Sequence, residues 1–145
     1  MQWKYLIIAG VSMCGTAMYS FASVESDAVK ARTQAMSEIS DNMRLLGSML
    51  KGQTIFDLDI AKLAIQNIAN LAANAPILFE IEAIDPHAEA KPEIWSNYED
   101  FVDKALALET VAIDASISLI DQGGLKDVIN SLGKTCKSCH SLYRN

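Results

Sequence analysis

Five residues near the end of the chain carry the clearest chemistry: Cys136-Lys137-Ser138-Cys139-His140. Two thiols three positions apart can add across the two vinyl groups of a haem. A histidine directly after the second is then left beneath the iron as an axial ligand. The pattern predicts a single, covalent haem c, with Cys136 and Cys139 as thioether anchors and His140 as the proximal ligand. Other uses of these residue types fit less well. A redox-active dithiol needs a strand before its helix, and no strand pattern precedes Cys136. A zinc site needs two further ligands, and with Cys14 set aside only His87 remains.

A second set of candidates lies far upstream. Val29, Arg32, Met36, Ile39, Met43, Leu46 and Leu50 recur at spacings of three and four, the seam of a helix sustained over three heptads. Arg32 breaks the apolar rule of that seam. A guanidinium does not discharge on burial, so it needs an anionic partner, and a haem propionate gripped in a bidentate fashion is one. The plainer alternative is an arginine that snorkels out or pairs with Asp27 or Glu25. Met36 stands one turn further on the same face. A thioether holds haem iron opposite a histidine, although a seam methionine is more often core packing. Met43, Met49 and His87 are the rival sixth ligands. His87 lies in a proline-bounded connection between Pro86 and Pro92 and reads as a solvated loop residue.

These residues need a helical scaffold and an oxidising compartment, and the rest of the chain supplies signals for both. Residues 1–22 read as a secretory signal: Lys4 gives a positive start, Leu6 to Met18 is largely apolar, and Ser20-Phe21-Ala22 offers small residues for cleavage. Cleavage after Ala22 removes Cys14 and leaves residues 23–145 as a single domain whose only cysteines are those of the motif. Covalent haem is joined to thiols outside the cytoplasm, so the expected location is the periplasm, with no membrane span once the signal is gone. The full chain carries a net charge of −6, and losing Lys4 makes it more negative. Such a balance argues against nucleic acid and anionic membranes and allows a basic redox partner.

Strand-type alternation is absent. Helices are expected at about 26–51, 57–75, 96–122 and 125–143. Gly52 closes the first, Gly123-Gly124 separates the last two, and Ser96 to Glu99 forms a capping box. All three prolines, Pro76, Pro86 and Pro92, are assigned to one long connection. Apolar stripes follow: Ile60, Leu63, Ala64, Ile68, Leu71 and Ala75 in the second helix, and Phe101, Ala105, Leu108, Ala112, Ala115 and Leu119 in the third. In the fourth, Leu125, Val128, Ile129 and Leu132 run into Cys136, Cys139, His140 and Tyr143. The fold class is all-α, an antiparallel four-helix bundle with haem c in its core.

The stretches Asp27-Ala28-Val29-Lys30-Ala31-Arg32, Lys91-Pro92-Glu93-Ile94-Trp95-Ser96 and Cys136 to Arg144 give the mature chain a resemblance to the cytochrome c-prime family, the class II cytochromes c. That resemblance implies thioethers at Cys136 and Cys139, His140 as proximal ligand, Arg144 near the proximal imidazole and Arg32 beside the propionates. It also places Met36 over the distal face. Five-coordinate members carry a non-ligating apolar residue there, whereas the low-spin c-556-type subgroup uses a methionine as sixth ligand. The expected function is a one-electron carrier with His140/Met36 ligation and unidentified periplasmic redox partners, not an enzyme. The alternative is a five-coordinate haem protein binding nitric oxide or another small gas. Family members often form homodimers through their first helices, for which Leu45 and Met49, off the seam, are candidate contacts.

Overall fold

Residues 16–46 contain neither glycine nor proline, and one helix, α1 (Thr16–Leu50), runs through them without a break. The computed structural model describes residues 16–86 and 88–145, with side-chain surroundings from Val24 onward. After α1 come α2 (Leu58–Leu78), the single-turn α3 (Glu93–Ser96), α4 (Tyr98–Ser118) and α5 (Leu125–Tyr143), with a 3-10 turn at Gln122–Gly124 before the last. The long helices pack in a ring: α1 on α2, α2 on α4, α4 on α5, and α5 back on α1. This is the expected four-helix bundle. Among the described residues there is no strand, only an isolated bridge between Ala90 and Arg144, and no helix is long and apolar enough to cross a membrane.

The ring is uneven. α2 and α4 share the most extensive contact, and both helices bury many alanines, Ala61, Ala64, Ala69, Ala72 and Ala75 in one and Ala105, Ala112 and Ala115 in the other. Small side chains let two helix backbones approach closely. α1 and α5 share the slightest contact of the four adjacent pairs. The haem motif and the Arg32–Met36 pair therefore lie on the two helices that the protein itself joins least.

Several boundaries differ from expectation. α1 is already helical at Thr16, the first described residue, rather than from Ser26, so it includes the expected cleavage point, while Lys4 and Cys14 lie outside the described residues. Its end is as read: Gly52 adopts φ +68° and its N–H reaches Met49 O at 3.1 Å, while Gln53 N–H reaches Ser48 O at 2.9 Å. That is a Schellman closure, which favours glycine at this position. α2 continues past Pro76 to Leu78, so this proline is not part of the connection. A proline in the last turn forfeits one helical hydrogen bond. The carbonyls of the helix end are tied to the next segment, with Tyr98 OH donating to Pro76 O at 2.5 Å and Trp95 Nε1 donating to Phe79 O at 2.8 Å.

The capping box does not form. Pro92 starts α3 instead, Ser96 is absorbed into that turn with its hydroxyl on Glu93 O, and α4 begins at Tyr98 without a side-chain cap. α4 also stops at Ser118, short of Gln122, because Leu119 turns extended and drives its side chain into the core at 1% exposure. Asp121 then caps the 3-10 turn through Gly123 N–H and Gly124 N–H. A Cβ on Gly124 would meet Leu119 Cδ1 at 3.3 Å, which explains a small residue there.

Two apolar stripes hold for most of their positions but not all. In α2, Ala61 and Ile65 are fully buried whereas Ile60 and Leu63 are exposed. In α1, Met49 is in the core and Leu50 is not, and Leu45 packs against that core. Met49 is therefore a core residue and not a dimer contact. The α5 boundaries, Leu125 and Tyr143, are as expected.

Candidate haem site

The motif is carried by the last turns of α5. Leu125, Val128 and Leu132 bury the first part of that helix, and the same stripe leads to half-buried Cys136 and Cys139 and buried Tyr143. His140 sits at the exposed edge of the stripe, not on its buried centre as the periodicity suggested. Cys139 packs against a cluster of Phe79, Ile94, Phe101 and Tyr143. Burial pushes both thiols above their ordinary range, countered at Cys139 by Lys104 and at Cys136 by a backbone hydrogen bond. Burial and then the Arg144 cation push the His140 imidazole down, against the pull of Glu89. Both sulfurs are thus kept as neutral thiols, and the imidazole is kept neutral with a lone pair free to ligate.

The chain end is zipped onto the connection before α3. Lys91 N–H donates to Tyr143 O at 3.0 Å and Asn145 N–H to Glu89 O at 2.8 Å, with the Ala90–Arg144 bridge between them. Arg144 Nε donates to Glu89 Oε2 at 2.6 Å, and its Nη2 pairs with the same carboxylate. Tyr143 OH donates to Asp100 Oδ2 at 2.5 Å, and Asp100 in turn lies 3.6 Å from Lys104 Nζ. Burial, with that carboxylate beside it, pushes the Tyr143 hydroxyl up to about 12. These contacts fix the angle at which α5 presents its cysteines.

Arg32 is the most unusual residue of the bundle. It is only 2% exposed. Its guanidinium lies 5.3 Å from the centroid of the Phe79 ring and 5.3 Å from that of Trp95. One Nη2 donates to Ala83 O in the connection after α2. Nε and Nη1 are buried and have no partner. Burial lowers its pKa and Asp85 opposes that, so the group stays a cation. Neither plain alternative holds: Arg32 does not snorkel, and Asp27 pairs with Lys30 at 3.7 Å. Two unsatisfied charge-bearing donors in a protein interior are costly, and an anion arriving there removes the cost.

Met36 follows Arg32 by one turn. It is half-buried and touches both the aliphatic core and the aromatic cluster that holds Cys139. Met43 packs only against the aliphatic core, and Met49 is buried deep within it. His87 lies outside the described residues. Of the candidate sixth ligands that are described, Met36 alone shares a cluster with the motif. Among the described residues there is no group of three or more His, Cys, Asp or Glu placed to hold a metal ion by itself.

Phe79, Trp95, Asp100 and Glu89 were not singled out from sequence. Trp95 and Phe79 come from opposite sides of the connection, and only the fold places them on Arg32. The usable signal was Arg32 itself: a buried cation that the carboxylates of its own helix do not reach must find π faces or an anion.

A four-helix bundle whose last helix ends in Cys-x-x-Cys-His, facing a buried arginine with free donors, defines a class: c-type haem proteins that keep the haem among helices. Comparison with known proteins gives the family. A family model described as Cytochrome C' matches residues 27–144. The chain is 36% identical over 115 residues to a protein named cytochrome c-556 from Agrobacterium tumefaciens (strain apple 185), covering 79% of this chain and 91% of that one. Among solved structures, cytochrome c prime from Shewanella frigidimarina superposes with a TM-score of 0.73 at 29% identity, covering 83% of this chain and 96% of that one. A structural model of oxidised cytochrome c556 from Rhodopseudomonas palustris matches in fold with a TM-score of 0.75 at 24% identity, covering 83% and 97%. The chain belongs to the cytochrome c' family. Its cofactor is covalently bound haem c, and proteins of this family carry electrons or bind gases.

Proposed function

We propose that this protein is a periplasmic one-electron carrier whose haem is held by thioethers to Cys136 and Cys139, with His140 as proximal and Met36 as distal ligand. The observation that carries the reading is the position of Met36, one turn beyond buried Arg32 and in the cluster that also holds Cys139. When bound, the haem supplies a single reversible electron, and His/Met ligation favours a low-spin iron at raised potential. The residues of the chain do the rest. Cys136 and Cys139 tie the group to α5, Arg32 meets the charge of a propionate with Nε and Nη1, and Arg144, tethered to Glu89, stands on the proximal side. With Met36 as the distal ligand, a substrate would have no open position on the metal, which favours a carrier over a gas binder or an enzyme.

Residues 1–22 act in this reading as a cleaved signal, with 23–145 as the mature domain. The redox partners are periplasmic proteins, with basic surfaces favoured by the net charge of −6. A visible spectrum of the purified holoprotein tests the coordination. The expected result is a sharp α-band on reduction, a weak thioether-to-iron band in the far red on oxidation, and no change with carbon monoxide. A broad high-spin spectrum that responds to carbon monoxide would refute Met36 ligation and favour the gas-binding reading.

A further inference from the structure

Arg32 is held from every side that the protein offers. Phe79 covers one part of the guanidinium and Trp95 another, each at 5.3 Å, and Ala83 O takes one Nη2 proton. The rings are themselves fixed. Trp95 Nε1 donates to Phe79 O at 2.8 Å, which ties the start of α3 to the end of α2. The Phe79 ring packs on Phe101 at 4.9 Å, and Phe101 meets Tyr143 edge-on at 5.6 Å. A continuous row of side chains thus joins Arg32 on α1 to Tyr143, in the same helix as the haem motif, across the helix pair that packs least. A flexible arginine left free would turn its charge towards water. Held in this row, it cannot.

Resting on the reading that Arg32 meets a haem propionate, we propose that Trp95 and Phe79 are positioning residues: they clamp the Arg32 cation in place so that the propionate beside it stays ionised. The clamp explains why so buried a charge keeps two donors unused in the protein's own fold. π faces satisfy the cation without consuming its N–H groups, whereas a carboxylate neighbour would have used them. Asp85, on the connection, favours the charge of Arg32, and Glu82 and Glu93 line the surface hollow beside Trp95. None of these carboxylates accepts from Nε or Nη1.

The test is the midpoint potential of the holoprotein as a function of pH, over about pH 5 to 9, where a carboxylate released from its cation titrates in a buried setting. Trp95→Leu and Phe79→Leu keep apolar bulk but remove a π face. Each is expected to add a step in which the potential falls as pH rises, because a carboxylate that loses its proton favours the ferric state. Trp95→Phe should restore the parent curve. Far-ultraviolet circular dichroism of each variant checks that the bundle is intact. If Trp95→Leu and Phe79→Leu both retain the parent curve while Arg32→Leu acquires the step, the clamp is overturned and the propionate reading stands. If Arg32→Leu also retains the parent curve, no propionate depends on Arg32, and the reading beneath the proposal falls with it.

Discussion

The two ends of the bundle are built on different principles. The end formed by the C-terminus of α1, the N-terminus of α2 and the N-terminus of α5 is aliphatic: Leu46, Met49, Ala61, Ile65, Leu119, Leu125 and Leu132 are all within 1% of complete burial. The other end is aromatic and polar, with Phe79, Phe101 and Tyr143 in a row of tilted and edge-on rings that leads from a buried arginine to a tyrosine–aspartate hydrogen bond. Apolar contact is non-directional, so the first end supplies stability without fixing any group in orientation. Ring stacking and charged hydrogen bonds are directional, so the second end fixes Arg32, Tyr143 and the cysteine face of α5 relative to one another. One half holds the fold together and the other places a cofactor. Met36 touches both.

That division can be broken from the aliphatic side. Ile65→Ala removes a fully buried side chain, and should cost about 2–5 kcal/mol in chemical denaturation. The visible spectrum of the folded holoprotein should stay that of the parent. A spectral change of ligand type would mean that the two halves are not independent.

A smaller and pH-dependent effect is expected at the other end. The Tyr143 hydroxyl is pushed from its ordinary 10 up to about 12. Above the ordinary value the unfolded chain sheds this proton while the folded chain keeps it. The stabilisation is therefore complete below pH 10 and is lost as pH rises towards about 12. Tyr143→Phe should flatten that alkaline loss and also weaken the packing register of α5. Equilibrium unfolding at a series of alkaline pH values checks it, and an unchanged slope would remove the Tyr143–Asp100 bond from the account.

The smallest effect compares two helix starts. Asp57 caps α2 by accepting Ile60 N–H at 3.0 Å, so Asp57→Ala should cost about 1 kcal/mol. Ser96 caps nothing, since α4 begins after Asn97 with no side-chain cap. Ser96→Ala should be nearly neutral in the same thermal melts.

The bounds of α5 were legible because its apolar spacing, its Gly-Gly start and its Cys-x-x-Cys-His end agree on one register, although that spacing placed His140 too far inward. The α2 face was misread at Ile60 and Leu63 because Ile60, Ala61, Leu63, Ala64 and Ile65 are all apolar, and hydropathy alone does not say which of them turns inward. Ala61 and Ile65 take the buried positions in their place. Pro76 was read as a stop, yet the helix runs two residues past it, to Leu78, where a proline in the last turn forfeits only one helical hydrogen bond. At the site, Arg32 stood out as a broken seam position. Its aromatic partners did not, because Phe79 and Trp95 are brought to it only by the path of the connection.

The central claim is that Met36 is the iron ligand opposite His140, and substitution at that one position tests it most directly. In Met36→Leu holoprotein the account predicts loss of the far-red thioether band, a shift to a high-spin spectrum and newly acquired carbon monoxide binding, while Met43→Leu keeps the parent spectrum. A Met36→Leu protein with the parent spectrum would contradict the claim and place the sixth ligand elsewhere.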